Sequence, residues 1–166
     1  MAPAHVLSDL RDVPAFAATV AERVWRAWWE PDGVPLAALR ARLDESLGPD
    51  AIPTTFVAHA NGCFLGCVAL IASDVDQRPS LTPWVAALWV EPGARRQGLG
   101  AALTARAAEA ALAACHEQVY LAAEAARAPY YLARGWARLE ADVDGLDILV
   151  RRRGQSLMRE HTFTDD

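Results

Sequence analysis

The segment WVAALWVEPGARRQGLGAALTARAAEAALAA, residues 84–114, decides the fold of this chain. Its first seven residues, 84–90, form an apolar run that predicts a buried strand. A Pro-Gly pair then ends the strand, because proline donates no ladder hydrogen bond. A helical pattern begins near Leu99. Since the apolar run at 119–121 predicts another strand, the helix is expected to join two parallel strands by a right-handed crossover.

The turn between this strand and the helix has the composition of an anion site. Gly98 and Gly100 lack a Cβ atom, so a ligand can approach their backbone N–H groups closely. The first N–H groups of a helix have no intrahelical partner, and the helix dipole favours negative charge there. Arg95 and Arg96 add guanidinium donors that suit phosphate oxygens. An ordinary helix start with two solvated arginines is the alternative that the glycine pair alone leaves open.

Two common phosphate-binding loops do not match this turn. A P-loop requires a lysine, and all 16 basic residues of the chain are arginine. A dinucleotide-binding loop requires a third glycine at position 103, where the sequence has Leu103. A dinucleotide-dependent oxidoreductase is therefore only a weak alternative.

Two motifs resemble those of one enzyme family. Arg95-x-x-Gly98-x-Gly100 matches the Arg/Gln-x-x-Gly-x-Gly/Ala signature of the GCN5-related N-acetyltransferase (GNAT) family, in which this loop holds the pyrophosphate of acetyl-CoA. The segment APYYLARGW, residues 128–136, resembles the family's Ala-x-Phe-Tyr-x-x-x-Gly-Phe. The likeness covers roughly residues 5–153, in the family's order of elements.

The resemblance implies an α/β fold of the α+β type, with a mixed, mostly antiparallel central sheet and helices on both faces. The sheet is expected to splay after its central strand, which leaves backbone groups free to bind pantetheine. No linker or repeat divides the chain, so we expect a single N-acetyltransferase-like domain over residues 1–153. Residues 154–166 have no clear period and are interpreted as a loose C-terminal tail.

Local patterns predict the remaining elements. The Asn-Gly pair at 61–62 predicts a hairpin between strands 54–60 and 63–71, because both positions tolerate positive φ. A second hairpin is expected to turn at Asp144-Gly145. The predicted first strand lies within 5–10, and helical spacing extends from Phe16 to Trp28 and from Leu36 to Leu47. Trp25, Trp28 and Trp29 cluster at the end of the first helix, where core packing is favoured over an acceptor-binding wall.

If the resemblance holds, acetyl-CoA is the cosubstrate and its binding residues follow from the matched motif. The backbone of the central strand would hold the pantetheine arm, and the loop with the first helical turn would hold the pyrophosphate. These coenzyme-binding residues are Leu88, Trp89, Val90, Arg95, Arg96, Gln97, Gly98, Leu99, Gly100 and Ala101.

The implied chemistry is direct attack of an amine on the thioester. Tyr131 matches the family's general-acid tyrosine in this motif. A phenol stays protonated at neutral pH and can donate to a leaving thiolate. The alternative is that Tyr131 only packs or donates a hydrogen bond to the coenzyme. Tyr130 matches the aromatic core position before it. The central strand contains no acidic residue, so the general base is open. Asp74, Asp76, Glu91, Glu124 and a chain of waters are the alternatives.

The predicted function is therefore transfer of an acetyl group from acetyl-CoA to the primary amine of a small molecule or a protein N-terminus. A non-catalytic acetyl-CoA-binding regulatory module is the alternative, because no base is evident. Retention of a tyrosine in the acid position favours the enzyme. The oligomeric state is left open, with a homodimer among the alternatives.

Composition excludes several other classes of protein. The 166 residues are 53% hydrophobic and 22% charged, which suits one domain with a sizeable core. A net charge of −5 argues against a general nucleic-acid binder. No apolar run reaches the roughly 18 residues of a membrane span, and no signal pattern is present, so we expect a cytoplasmic protein. The three cysteines and four histidines show no metal-ligand spacing, and no metal is expected.

Overall fold

The computed structural model describes residues 4–154. Within this range the chain forms one seven-stranded sheet with the strand order β1-β2-β3-β4-β5-β7-β6. No helix in residues 4–154 has the length and apolarity to cross a membrane. The strands are β1 (Val6–Asp9), β2 (Thr54–Ala60), β3 (Cys63–Ile71), β4 (Trp84–Val90), β5 (Gln118–Ala123), β6 (Ala137–Val143) and β7 (Leu146–Arg152). The α-helices are α1 (Ala17–Val24), α2 (Leu36–Glu45), α3 (Leu99–Ala113) and α4 (Ala128–Leu132).

The sheet is mixed and mostly antiparallel, as predicted. Only β4 and β5 run parallel among the described strands, and α3 connects them. Helices cover both faces, which confirms the predicted fold class. The predicted tail lies outside the described residues except for Gly154.

Alternation along the strands divides the core between the two faces. On one face, Leu103 and the alanines of α3 pack against alternate residues of β2 to β5, together with α4. On the other face, α1 and α2 cover the β1–β4 half of the sheet, where Val57 and Cys67 are buried. A third cluster around Trp84 and Tyr120 fills that second face at the β5–β7 half. The central strand therefore contributes to all three clusters.

The first helical pattern is interrupted rather than continuous. A 3₁₀ turn at Pro14–Phe16 precedes α1, and α1 widens into a π-helix at Trp25–Trp29. Trp25 donates its indole N–H to the carbonyl of Val34 at 2.7 Å and packs with Trp29 against the α1–α2 core. Trp28 is 44% exposed. The wider turn thus partly buries two of the three indoles, and the third faces outward.

The two predicted hairpins form where the turn residues adopt positive φ. Asn61 and Gly62 have φ values of 50° and 76°, and Asp144 and Gly145 have 51° and 82°. This is the geometry that favours Asn-Gly and Asp-Gly in two-residue turns. The boundaries differ modestly from the prediction at two elements: β1 is shorter than predicted, and α2 ends at Glu45.

Strand β6 lies at one edge of the sheet and is irregular. Its pairing with β7 shifts register between Arg138 and Glu140 and again between Glu140 and Val143. Arg78 forms a two-pronged ion pair with Glu140, with both N–O distances 2.6 Å. Arg138 pairs with the buried Asp147 at 3.2 Å.

Arg11 links three separate segments near the other edge. Its guanidinium pairs with Asp9 at 2.8 Å and donates to the Thr54 hydroxyl at 2.8 Å. It also donates to the carbonyls of Gly48 at 2.6 Å and Pro53 at 3.2 Å. The same side chain thus connects β1, the turn after α2 and the start of β2. Nothing in the local sequence indicated this role.

We expect Arg11→Met to reduce the free energy of unfolding by about 2 kcal/mol, because several carbonyls and a carboxylate lose a charged donor. The stability of Arg11→Lys should lie between those of the wild type and Arg11→Met, since one ammonium cannot reproduce the guanidinium fork. Urea unfolding measures both, with Arg40→Met on the exposed surface of α2 as control. Equal losses for Arg11→Met and Arg40→Met would contradict the linking role.

Candidate functional site

A bulge in β4 sets the geometry of the site. Between the pairs Ala69↔Ala86 and Cys67↔Trp89, β3 advances by two residues and β4 by three. Ala87 takes up the extra residue with a φ of 52°, in the left-handed region. A bulge of this kind bends its strand and redirects the side chains that follow. The second half of β4 therefore stays paired with β3 but turns away from β5.

Strands β4 and β5 part after two pairs. The pairs are Trp84↔Tyr120 and Val85↔Leu121, whereas β5 stays paired with β7 as far as Ala123. A gap opens between the end of β4 and the end of β5. Backbone groups that face such a gap need a partner, because an unpaired buried N–H or carbonyl is costly.

Alternation of the backbone determines which groups of β4 face the gap. Glu91 donates its N–H to the carbonyl of Leu65 at 2.8 Å, which directs Glu91 toward β3. The carbonyl of Trp89 also points to β3, since it lies 2.7 Å from the position of an ideal Cβ on Gly66. In an antiparallel pair successive residues direct their backbone groups to opposite sides. Leu88 and Val90 therefore direct theirs into the gap, and the Trp89 carbonyl does not.

The loop after β4 is shaped to receive an anion. Arg96 and Gly98 both have positive φ, 61° and 80°, and successive N–H groups converge in turns of this type. The first helical hydrogen bond of α3 runs from the Ala102 N–H to the Gly98 carbonyl at 3.0 Å. The N–H groups of the preceding turn, at Leu99, Gly100 and Ala101, lie before that first bond. Dipole and N–H groups together favour negative charge at this point.

Arg95 connects the loop to β4. Its Nε donates to the Val90 carbonyl at 2.8 Å, and its guanidinium lies 4.9 Å from the centre of the Trp89 ring. Arg95 thus covers one of the two backbone positions that face the gap. Arg96 and Gln97 are exposed beside it.

The two tyrosines of α4 occupy opposite environments. Tyr131 is buried in the core beneath α3, and burial, followed by the proximity of Tyr130, raises the pKa of its phenol above the ordinary value of 10. Tyr130 is 38% exposed, and its hydroxyl lies 3.8 Å from an ideal Cβ on Gly100. The expectation that Tyr130 is a core residue is therefore wrong. Consecutive helical residues differ by about 100° in direction, and in α4 this places the Tyr131 ring in the core and the Tyr130 ring toward solvent.

The four carboxylates considered as a base lie in different places. Glu91 accepts from Arg23 Nε at 2.6 Å and is engaged in that ion pair. Asp74 and Asp76 belong to the loop between β3 and β4, at the closed end of the gap where Ile71 pairs with Trp84. Glu124 follows β5 at the open end and is exposed. Residues 4–154 contain no ion pair that involves Glu124.

A depression opens on the other side of β4, between the end of this strand and the helical segment around α1. It encloses about 400 Å³. The indole Nε1 of Trp89 is buried and has no hydrogen-bond partner among the described residues. The depression is lined by Arg23, Arg26, Ala27, Trp89, Glu91 and Pro92.

The sequence matches the GNAT acetyltransferase domain over residues 52–138, which contain the bulged strand, the anion loop and helix α4. The chain belongs to the GNAT family. This match covers more than half of the chain and supports an N-acetyltransferase enzyme. No curated protein matches the sequence.

Solved structures share the fold at low sequence identity. A GNAT-family acetyltransferase from Streptococcus pneumoniae is 16% identical, with a TM-score of 0.66 over 90% of this chain and 99% of its own. An acyl-CoA N-acyltransferase from Pseudomonas aeruginosa is 21% identical, with a TM-score of 0.60 over 89% and 98%. An acetyltransferase from Streptococcus agalactiae 2603 is 16% identical, with a TM-score of 0.64 over 89% and 98%.

Two residues that shape β4, Ala87 and Gly66, were not predicted from the sequence. Ala87 carries no sequence signal for positive φ. Gly66 lies inside an apolar strand, and an isolated glycine in a strand does signal a bulge or a close backbone approach. An ideal Cβ at Gly66 would also lie 3.2 Å from the side chain of Leu103 on α3. Gly66 therefore allows β4 and α3 to pack closely on β3.

We expect Gly66→Ala to lower the free energy of unfolding by about 1–3 kcal/mol, because the added methyl group meets the backbone of β4. Gly93→Ala is the matched control: nothing lies within 4 Å of an ideal Cβ there. Thermal and urea unfolding compare the two variants. If Gly66→Ala is as stable as Gly93→Ala, the close approach of β4 to Gly66 does not contribute to the free energy of unfolding.

Proposed function

We propose that this GNAT enzyme transfers acetyl directly from acetyl-CoA to a primary amine of a small molecule or a peptide N-terminus. The observation that carries the proposal is the gap between β4 and β5, which opens directly beside the anion loop. A thioester on a flexible arm with a diphosphate at its far end matches both features. The gap supplies backbone groups of Leu88 and Val90 that β5 does not pair, and the loop supplies the positive end of the α3 dipole.

The coenzyme would contact two sets of groups. The pantetheine amides would bond to the backbone of Leu88 and Val90, and the diphosphate would bind the N–H groups from Gln97 to Ala101. Arg95 donates to the Val90 carbonyl through Nε, and that oxygen has a second lone pair that a pantetheine amide N–H could use. The terminal nitrogens of the same guanidinium would be available to the diphosphate.

The acetyl transfer needs a proton donor for the departing thiolate. Tyr131 would supply it, since burial holds its pKa above 10 and keeps the phenol protonated at neutral pH. Attack of the amine nitrogen on the thioester carbonyl forms the C–N bond and expels the thiolate of coenzyme A. The phenolic proton then passes to that sulfur, and the amine nitrogen loses a proton to a base.

Glu124 is the carboxylate that we propose for the base, directly or through water. It lies at the open end of the gap, next to α4, whereas Glu91 is engaged by Arg23 and the aspartates lie at the closed end. The amine substrate would approach from the depression beside Trp89. An oxygen or nitrogen atom of this substrate could accept a hydrogen bond from the unpaired indole N–H of Trp89.

Replacing Gly98 tests coenzyme binding at the loop. Gly98→Asp should bind acetyl-CoA at least about tenfold more weakly than Gly98→Asn, because the carboxylate repels the diphosphate. The two side chains have nearly the same shape, and both tolerate positive φ, so the comparison isolates charge. Isothermal titration calorimetry on the folded variants measures the difference. Equal affinities of the two variants for acetyl-CoA would mean that the diphosphate does not bind at this loop.

Tyr131→Phe removes only the proposed acid. General-acid assistance is typically worth about 10²- to 10⁴-fold, so kcat should fall by that order. Tyr120→Phe, in the core cluster around Trp84, is the matched loss of a phenol away from α4. In the wild type, catalysis needs the protonated phenol of Tyr131. Activity should therefore be full at a pH below the raised pKa of this phenol and should be lost as the pH rises through that pKa. Thiol release from acetyl-CoA, measured against pH, should show this alkaline limb above pH 10.

Two results would contradict the mechanism. If Tyr131→Phe retains the wild-type rate while chemistry limits turnover, the phenol is not the acid. If the wild type binds acetyl-CoA tightly but releases no thiol with a panel of primary amines and peptides, a regulatory role replaces catalysis.

A further inference from the structure

The indole N–H of Trp89 is a hydrogen-bond donor that the chain itself does not satisfy. Within residues 4–154, its Nε1 is the only buried side-chain nitrogen or oxygen without a hydrogen-bond partner. By contrast, the fully buried Trp84 donates its indole N–H to the Leu81 carbonyl at 2.6 Å. Because buried polar groups in proteins are nearly always paired, the exception at Trp89 indicates a partner from outside the chain.

The surroundings of the Trp89 ring restrict the route by which such a partner arrives. Toward α1 the ring packs on the cluster around Val24, and no described side chain of that cluster carries an oxygen atom. The ring also lines the depression of about 400 Å³, a volume in the range of small-ligand sites. Among the described side chains that line it, only Glu91 carries oxygen, and Arg23 holds that carboxylate at 2.6 Å. A bound molecule would therefore reach the indole through the depression.

The position of Trp89 on β4 places this donor close to the reacting groups. Trp89 lies between Leu88 and Val90, whose backbone would hold the pantetheine arm. Its side chain is on the α1 side of the sheet, and Arg95 of the anion loop lies 4.9 Å from the centre of its ring. An indole is rigid and has a short reach from its own strand. The atom that accepts its hydrogen bond must therefore be near the attacking amine in the substrate.

The charges at the depression favour a neutral hydrogen-bond acceptor. Arg23 pairs with Glu91 at 2.6 Å, and Arg26 pairs with Glu22 at 3.1 Å, so each cation of the lining already has a carboxylate partner. A substrate carboxylate would leave water without gaining an unpaired cation, and such a transfer is costly. A carbonyl oxygen has a smaller desolvation cost and needs only the one donor that Trp89 offers.

We propose that Trp89 selects primary amines that carry a neutral carbonyl group on the carbon next to the amine. This group occurs in α-amino amides and at peptide N-termini. The indole N–H would donate to the carbonyl oxygen and so hold the amine nitrogen against the thioester. The inference rests on the proposed function and narrows its amine substrate. Simple alkylamines lack the oxygen, and free amino acids present a carboxylate in its place, so both should be poorer substrates.

The test compares L-alaninamide with 2-amino-3-methylbutane, in which an isopropyl group of similar shape replaces the carboxamide. Thiol release from acetyl-CoA gives kcat/KM for both amines in the wild type and in Trp89→Phe. The variant should lose about tenfold more kcat/KM with L-alaninamide than with the hydrocarbon analogue, because only the amide loses a hydrogen bond to a buried donor. The two amines differ in pKa, but this difference is the same for both proteins and cancels in the comparison.

Controls separate the indole N–H from other effects and identify the source of the substrate. Trp28→Phe removes an exposed indole and should leave the ratio of the two kcat/KM values unchanged. A peptide that begins with alanine should show the same loss in Trp89→Phe if peptide N-termini are the source. A loss confined to L-alaninamide would assign free amino amides instead. Circular dichroism and thermal unfolding establish that each variant is folded.

Nuclear magnetic resonance tests the same hydrogen bond without turnover. In ¹H–¹⁵N spectra of the protein with coenzyme A, the Trp89 indole signal is the one that is absent from Trp89→Phe. Addition of L-alaninamide should move this signal downfield, because its N–H gains an acceptor. Addition of 2-amino-3-methylbutane should not produce that shift.

Three results would overturn the selection by Trp89 and leave the proposed function in place. An equal loss of kcat/KM for both amines in Trp89→Phe would mean that the ring only shapes the depression. A higher kcat/KM for L-alanine than for L-alaninamide would mean that a carboxylate is recognised. An indole spectrum that L-alaninamide leaves unchanged would mean that no hydrogen bond forms. If acetyl-CoA binds but no amine releases thiol, the proposed function itself is overturned, together with this inference.

Discussion

The extra residue in β4 is the constraint on which the site depends. A regular strand would continue beside β5 and close the gap, but the bulge at Ala87 bends β4 away after two pairs. The same insertion places Leu88 and Val90 toward α3 and keeps Trp89 on the α1 side. A left-handed alanine costs roughly 1–2 kcal/mol, and such strain persists only where the surroundings enforce it. Here the close contact of Gly66 with β4 and α3 supplies that enforcement.

The anion loop and the gap are coupled through Arg95. Its side chain bonds to the end of β4 and stacks on Trp89, so the first residue of the loop is tied to the strand. Arg96 and Gly98 then turn the chain through two positive φ angles into α3. The backbone of the loop therefore fixes the direction of its N–H groups. Preorganisation of this kind would reduce the ordering cost of binding an anion.

Features encoded by neighbouring residues could be predicted from the sequence, and features set by distant contacts could not. The strand 84–90 and the Asn61-Gly62 hairpin were predicted to the residue, because hydrophobic run, proline and turn chemistry lie within a few positions of each other. The family motif identified the loop. The bulge at Ala87 and the links of Arg11 depend on partners far along the chain, so no local pattern revealed them.

The same distinction applies inside α4 and at the base. The motif identified two tyrosines, but which ring is buried depends on how one helical turn docks under α3. The four carboxylates were indistinguishable in sequence. Their separation by the closed and open ends of the gap is a property of the sheet topology alone.

The irregular edge strand has a consequence for how copies of the chain meet. A straight, apolar edge offers a row of N–H and carbonyl groups to a strand from another molecule, which is a route to aggregation. On β6 two register shifts interrupt that row, and Arg138 and Glu140 place charges along it. The ion pairs with Arg78 and Asp147 hold these side chains in place. Although more than half of the sequence is hydrophobic, the β6 edge of the sheet is thus a poor template for intermolecular sheet growth.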